Sequence, residues 1–242
     1  MKTDGITKAF VAGATGYVGR NVAGELARRG VTVVAHVRPD SPRLAEFEAL
    51  FASLGAGIDV TPWDDAALAA TFRKLRPAVI FSLLGTTRAR IRKAADPRRA
   101  DYEAVDYGLT AMLIRAAKTL ETKPRFVYLS AVGVGPTARG AYYEARWKAE
   151  SELRASGLPH IIARPSFITG PDREEDRAFE KIAAGSLNVA AGLAGAFGFG
   201  KVRDRYLSLT GPEIARGLVA LALDPATPGG VYETGALRER AG

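Results

Sequence analysis

Apolar positions along this chain fall into short runs, separated by longer stretches in which apolar residues recur every three or four positions. The runs are Ala9–Ala12, Val31–Val37, Gly57–Val60, Ala78–Leu84, Arg125–Leu129 and His160–Ala163. Runs this short, rich in β-branched and aromatic side chains, read as buried strands. The stretches between them read as helices over Tyr17–Arg29, Asp65–Leu75, Tyr102–Leu120 and Tyr143–Ser156. A further helix is expected to open at Ser41-Pro42, where a hydroxyl can cap free amides and a proline ring presets helical φ. In the longest helix Val105, Leu109, Met112, Leu113 and Ala116 keep helical spacing. Strand and helix alternate six times, which predicts an α/β fold: a doubly wound parallel sheet, covered on both faces and built with right-handed crossovers. No linker interrupts the pattern. One domain over 1–242 is therefore expected, with the less regular residues 166–242 contributing a small substrate-side region. Within that region Pro212–Leu223 reads as a helix and Gly230–Glu233 as a late strand.

Composition narrows the function classes. The chain has 242 residues, 47% hydrophobic and 25% charged, enough to bury a core without covalent staples. It has no cysteine, which excludes disulfide and thiolate chemistry. His36 and His160 stand far apart with no cysteine to support them, so no metal site is expected. No run reaches the ~18 apolar residues of a membrane span; Leu187–Phe199 is interrupted by Gly192, Gly195 and Gly198. The N-terminus lacks the apolar segment of a secretory signal, and the expectation is a soluble cytoplasmic protein. A formal net charge of +8 points to an anionic ligand. A phosphorylated cofactor meets that description at least as well as nucleic acid does. Nucleic-acid binding is not the expected function, because the basic loop Arg88–Arg99 carries no interleaved aromatics.

Chemistry concentrates at the end of the first strand. Gly13-Ala-Thr15-Gly16-Tyr17-Val18-Gly19 follows a strand and opens a helix. Glycine permits a tight turn and close backbone approach to a pyrophosphate, and the helix N-terminus offers free amides and a positive dipole end. The motif implies a bound dinucleotide. The end of the second strand selects which one. An acidic residue there accepts hydrogen bonds from the ribose of NAD. This chain has Arg38, whose planar fork suits a 2′-phosphate, so NADP(H) is expected over NAD(H). Asp40 competes for Arg38.

These residues resemble the short-chain dehydrogenase/reductase superfamily. Its atypical NAD(P)H-binding group, around the Tat-interacting-protein oxidoreductase and NmrA-like proteins, is matched further by Leu83-Leu-Gly-Thr-Thr-Arg88, Ser130-Ala-Val-Gly133, Lys148-Ala-Glu-Ser-Glu152, Arg164-Pro-Ser-Phe-Ile-Thr-Gly170 and Asp172-Arg173. The resemblance implies a Rossmann fold with the cofactor along the C-terminal ends of the strands. It implies that Gly13, Thr15, Gly16, Tyr17, Val18 and Gly19 hold the pyrophosphate and that Arg38 meets the adenosine ribose phosphate. Leu84, Gly85 and Thr86 then run past the cofactor, and Pro165 and Ser166 approach the nicotinamide.

Active members use serine, tyrosine and lysine, with the tyrosine four residues before the lysine, so that both share a helix face. The lysine also binds the nicotinamide ribose. The candidate catalytic residues are Ser130, Tyr143 and Lys148. The spacing departs from the pattern: Glu144 stands four before Lys148, Tyr143 five and Tyr142 six, whereas Tyr142 stands four before Arg146. Ala131 also competes with Ser130 for the serine position. Three readings stand: an irregular first turn aims Tyr143 or Tyr142 at the cofactor; Glu144 acts as the acid; or proton transfer is lost and the chain holds NADP(H) as a regulator or assembly factor. The expected activity is hydride transfer to a small carbonyl or enone. The expected partner is a small-molecule substrate, with a protein partner or a second copy of the chain left open. Phe167, Phe197, Phe199 and Tyr206 are available to line an apolar site.

Overall fold

The computed structural model describes residues 7–169 and 208–242. Asp172, Arg173, Phe197, Phe199, Tyr206 and the apolar stretch Leu187–Phe199 lie outside the described residues. Strands β1 (Lys8–Ala12), β2 (Thr32–His36), β3 (Gly57–Asp59), β4 (Val79–Ser82), β5 (Arg125–Leu129) and β6 (His160–Arg164) alternate with helices α1 (Tyr17–Arg28), α2 (Leu44–Ser53), α3 (Asp65–Leu75), α4 (Arg88–Lys93), α5 (Leu109–Lys118) and α6 (Ala141–Ala155). After them come β7 (Ile168–Thr169), β8 (Leu209–Thr210), α7 (Gly211–Leu223), β9 (Gly230–Glu233) and α8 (Thr234–Glu239).

Seven strands form one sheet in the order β3-β2-β1-β4-β5-β6-β9, every pair parallel. The order reverses between β1 and β4, where an open parallel sheet leaves a crevice beyond its C-terminal edge. The apolar runs predict this burial directly. Alternate residues serve opposite faces, and both faces are covered. Ala9, Val11, Val79, Phe81, Val127 and Ile161 meet α1, α2 and α7 through Leu26, Phe51, Ile214 and Leu218. Phe10, Ala12, Ile80, Phe126, Tyr128 and Ile162 meet α3, α5 and α6 through Phe72, Leu113 and Leu153. The late strand β9 is the seventh strand of this sheet, and α7 packs against α1. The described C-terminal residues are thus built into the main layers.

Four local expectations are corrected. The helix expected at Ser41 begins at Leu44, because Ser41 closes a turn first: its carbonyl accepts the Leu44 N–H at 3.1 Å. The basic loop is instead α4, capped by Thr87, and a 3₁₀ turn over Pro97–Arg99, capped by Asp96. The helix expected from Tyr102 starts as a π-turn over Glu103–Gly108 and becomes α-helical at Leu109. A π-turn adds one residue to the coil and rotates the residues beyond it about the helix axis; here Asp106 lies fully buried within it. Helix α6 opens at Ala141, two residues before Tyr143, on Gly140 in the left-handed region (φ 102°).

Candidate functional site

The glycine turn sits at the β1/β4 crevice. Gly13 adopts φ 79°, and a side chain there would lie 2.6 Å from the Leu83 carbonyl oxygen. Gly16 donates its N–H to the Gly13 carbonyl at 3.0 Å. Gly19 lets α1 press onto the turn, since a Cβ there would stand 2.1 Å from the Gly13 oxygen. Helix α1 starts at Gly16 with no side-chain cap and no acidic residue in its first turn. Its amides and its positive end are left for an anion, which fits the pyrophosphate of a dinucleotide.

The other expected cofactor residues are distributed around this turn. Thr15 is half-buried within it, and Val18 packs on the core beneath. The side chain of Tyr17 is committed elsewhere: its hydroxyl donates to the Thr169 carbonyl and accepts from the Gly211 N–H, each at 3.2 Å. It ties α1 to β7 and α7. Arg38 is exposed beyond β2, 3.6 Å from Asp40. Leu84, Gly85 and Thr86 leave β4 beside Gly13, with Leu84 N 3.1 Å from where a Gly13 Cβ would stand. Pro165 accepts from Val132 N–H at 3.0 Å, and Ser166 N–H donates to Thr234 Oγ1 at 2.8 Å.

A buried polar cluster lies beside Gly85 and Thr86. On α6 Tyr142 and Arg146 stand one turn apart on the same side, with the guanidinium carbon 4.8 Å from the centre of the Tyr142 ring. Arg146 is buried and donates to the Leu129 carbonyl at 2.6 Å. Its Nη2 also stands 2.8 Å from Asp106 Oδ1, an ion contact without aligned hydrogen-bond geometry. The other Asp106 oxygen accepts the Thr86 N–H at 3.0 Å. A Cβ at Gly85 would crowd this pair, 3.0 Å from Arg146 Nη2. The Asp106 carboxyl is pushed up by burial, with Arg146 and the Thr86 amide pulling it back. Burial likewise raises the Tyr142 phenol, and the Arg146 charge opposes that rise. Tyr128 is fully buried nearby on β5, and its hydroxyl has no partner among the described residues.

The three residues named for catalysis lie around this cluster but do not converge. Lys148 is two residues past Arg146, roughly 200° around the helix. It is half exposed and pairs with Glu103 at 2.6 Å. Tyr143 is 37% exposed and its ring edge lies over Gly133. Ser130 is buried, and its hydroxyl donates to Glu150 Oε1 at 2.6 Å. Glu150, fully buried, also accepts from Arg164 Nε at 2.8 Å and Arg154 Nη2 at 2.7 Å. Burial raises its carboxyl, but the bonds from Arg164, Ser130 and Arg154 together hold it below the ordinary glutamate value. Glu144 accepts the Gly140 N–H at 3.1 Å and caps the helix start. Sequence reasoning missed Asp106 and Glu150. The signal available was the helical ladder Tyr142, Arg146, Glu150, in which Arg146 takes the position expected of the lysine.

Residues 13–188 match the family model described as NAD(P)H-binding. The chain belongs to that NAD(P)H-binding family. Its atypical short-chain dehydrogenase/reductase character, first read from motifs, holds. The chain is similar to the mitochondrial protein fmp52 of Aspergillus clavatus, 31% identical over 188 residues that cover 76% of this chain and 74% of the relative. Mouse NADH dehydrogenase (ubiquinone) 1 alpha subcomplex subunit 9, mitochondrial, is 25% identical over 226 residues, covering 93% of this chain and 55% of that protein. The fold is shared with UDP-glucuronic acid 4-epimerase from Bacillus cereus, solved in complex with NAD: TM-score 0.66, 18% identity, 94% of this chain and 76% of that one. The cytoplasmic expectation is overturned by the fmp52 relatives, whose names place them in mitochondria. The lack of an apolar N-terminal segment argued only against a secretory signal, whereas mitochondrial targeting segments are amphipathic. Among the described residues no helix is long and apolar enough to cross a membrane.

Proposed function

We propose that this chain is an NADP(H)-dependent oxidoreductase acting on a small carbonyl or enone compound, with Tyr142 as the proton donor. The observation that carries the reading is the Tyr142 ring held over the buried Arg146, at the sheet edge that also bears the glycine turn. Bound NADPH supplies a hydride from its nicotinamide ring. The chain's own residues do the rest. The turn from Gly13 to Gly19 and the start of α1 hold the pyrophosphate, and Arg38 exchanges Asp40 for the 2′-phosphate, which favours NADP(H) over NAD(H). Leu84, Gly85 and Thr86 flank the cofactor, with Pro165 and Ser166 at its nicotinamide end. Tyr142 gives its proton to the substrate oxygen, and the fixed Arg146 charge stabilises the phenolate left behind. Arginine keeps its proton throughout, so Arg146 acts through charge alone. Asp106 and the Leu129 carbonyl fix its direction. Residues 166–242 complete the single domain and supply the substrate side.

A second reading is a non-catalytic NADP(H) holder. It is favoured by the Ser130 hydroxyl and the Lys148 ammonium, both engaged within the protein, and by the mouse relative, named as a subunit of a complex. Single-turnover NADPH oxidation with a panel of aldehydes, ketones and enones separates the two. Replacing Tyr142 by Phe is expected to slow oxidation about 100-fold or more. Tyr143→Phe and Lys148→Met are expected to keep most of the rate. Equal rates in wild type and Tyr142→Phe would remove Tyr142 from the mechanism. Tight NADPH binding with no oxidation of any panel member would favour the holder.

A further inference from the structure

A strongly basic surface among the described residues has no part in the chemistry assigned to Tyr142 and the glycine turn. Arg88, Arg90, Arg92 and Lys93 of α4, with Arg98 and Arg99 of the following 3₁₀ turn, are all exposed. No residue of either element is buried. The one acid in the segment, Asp96, uses its carboxylate to cap Arg98 N–H at 3.1 Å and to meet Arg99 at 3.5 Å. Among the described residues no carboxylate forms an ion pair with Arg88, Arg90, Arg92, Lys93 or Arg98. Folding does not account for this segment. It covers no core, and Arg88 with Arg92, like Arg90 with Lys93, sets like charges at spacings that weaken a helix. Such a conflict between local preference and adopted structure marks a functional surface.

Its position says which function. Helix α4 begins two residues beyond Thr86, so Arg88 Cα lies within about 7 Å of Thr86 Cα. Thr86 N–H is bonded to Asp106, Asp106 contacts Arg146, and Tyr142 covers Arg146. The cations therefore stand at the C-terminal edge of the sheet, where an open parallel sheet takes its ligands. We propose that α4 recognises an anionic group, carboxylate or phosphate, carried by the substrate at a distance from the reacting carbon. Arginine forks bind both groups in paired geometry, and a remote anion lends binding energy that orients the carbonyl toward Tyr142. Nucleic acid is disfavoured because residues 88–99 contain no aromatic for base stacking. A lipid surface is disfavoured because the one large apolar residue there, Ile91, is already half-buried.

The inference rests on the oxidoreductase reading for its substrate, and the test has two arms. Turnover with NADPH is compared for succinic semialdehyde and butanal, a matched pair differing in a carboxylate, and for glyceraldehyde 3-phosphate and glyceraldehyde, differing in a phosphate. The ratio of kcat/KM for at least one anionic member over its neutral partner is expected to be about tenfold or more at about 50 mM salt. It is expected to approach one in an Arg88→Ala/Arg90→Ala/Arg92→Ala/Lys93→Ala variant whose thermal unfolding matches wild type. A ratio near one for wild type, or an unchanged ratio in the variant, would overturn the proposal. The second arm needs no turnover. Binding of glutarate, pentanol and inorganic phosphate to NADP⁺-loaded protein is followed by ligand-observed NMR. Binding of glutarate or phosphate to wild type and not to the variant, without turnover of any aldehyde, supports the anion surface while the oxidoreductase reading fails. Equal anion binding by both proteins overturns it, as does binding of anionic vesicles or oligonucleotides in place of both small anions.

Discussion

Replacing Arg146 by Met removes a buried charge while keeping most of the side-chain length, and its cost should depend on pH in a calculable way. The Tyr142 ring loses its cation, and two buried acceptors lose their partner. The Leu129 carbonyl loses a 2.6 Å hydrogen bond, worth about 1–3 kcal/mol when left unmet and indifferent to pH. The Asp106 carboxylate, fully buried, loses the one cation that contacts it among the described residues. A carboxylate in that position escapes by taking a proton. For a carboxyl with an ordinary value of 3.8, being protonated at pH 7 costs about 4.4 kcal/mol, and at pH 5 about 1.6, at roughly 1.36 kcal/mol per pH unit. The destabilisation should thus be smaller at pH 5 than at pH 7, by about 2.7 kcal/mol at most, because burial already raises the Asp106 carboxyl in the wild type. Urea unfolding of wild type, Arg146→Met, Asp106→Asn and the double variant at both pH values measures it. Because the total at pH 7 approaches the stability of an ordinary domain, about 5–15 kcal/mol, the pH 5 series keeps the variant measurable. The double variant should recover about 2 kcal/mol or more at pH 7 relative to additivity. Equal destabilisation at the two pH values, or strict additivity, would refute the dependence of Asp106 on Arg146.

Three further outcomes are expected. Gly19→Ala, which sets a Cβ against the Gly13 carbonyl, should cost about 1–3 kcal/mol and weaken NADPH binding at least about tenfold in a fluorescence titration; unchanged affinity in a folded variant would disconnect the turn from the cofactor. Arg38→Ala should weaken NADPH about tenfold or more and leave NADH within about twofold, the loss of a charge-assisted contact; equal NADPH and NADH dissociation constants in wild type would remove the preference. Stability should fall with acid in two stages. Burial holds His36 below its ordinary 6.5, against the pull of the Thr61 carbonyl and Asp59, so the stability from keeping it neutral is complete above 6.5 and is lost below it as the unfolded chain gains the proton. Glu150, held below 4.5, contributes stability present above 4.5 and lost as pH falls through its folded value. Thermal melts from pH 7 to 3 should show a smaller second stage in Glu150→Gln, since Glu25, Glu213 and Asp224 are held low by their own partners and still contribute; an unaltered profile would dissociate Glu150 from acid lability.

The layered sheet, the glycine turn and the family were legible in the chain because each depends on local pattern. Alternating apolar runs specify strands buried on both faces, and Gly13, Gly16 and Gly19 permit a backbone path that few other residues tolerate. Even the late strand Gly230–Glu233 was visible, although only pairing with β6 shows that it closes the sheet. The chemistry of the site depends on rotation about a helix and on partners far apart in sequence, and these the pattern left open. Reading Tyr143 with Lys148 takes the motif by its letters. The fold turns Lys148 outward to Glu103 and turns Arg146 inward, since burial at Ala145, Ala149 and Leu153 sets which side of α6 meets the sheet. Whether a charge faces water or the core is decided by what packs against it. Asp106, 40 positions from Arg146, meets it only because a π-turn rotates it inward under Thr86. Sequence alone determined that a dinucleotide turn stands at the edge of a parallel sheet. Tertiary packing decided that its neighbouring cation is a buried arginine, held by a carboxylate that no local pattern announces.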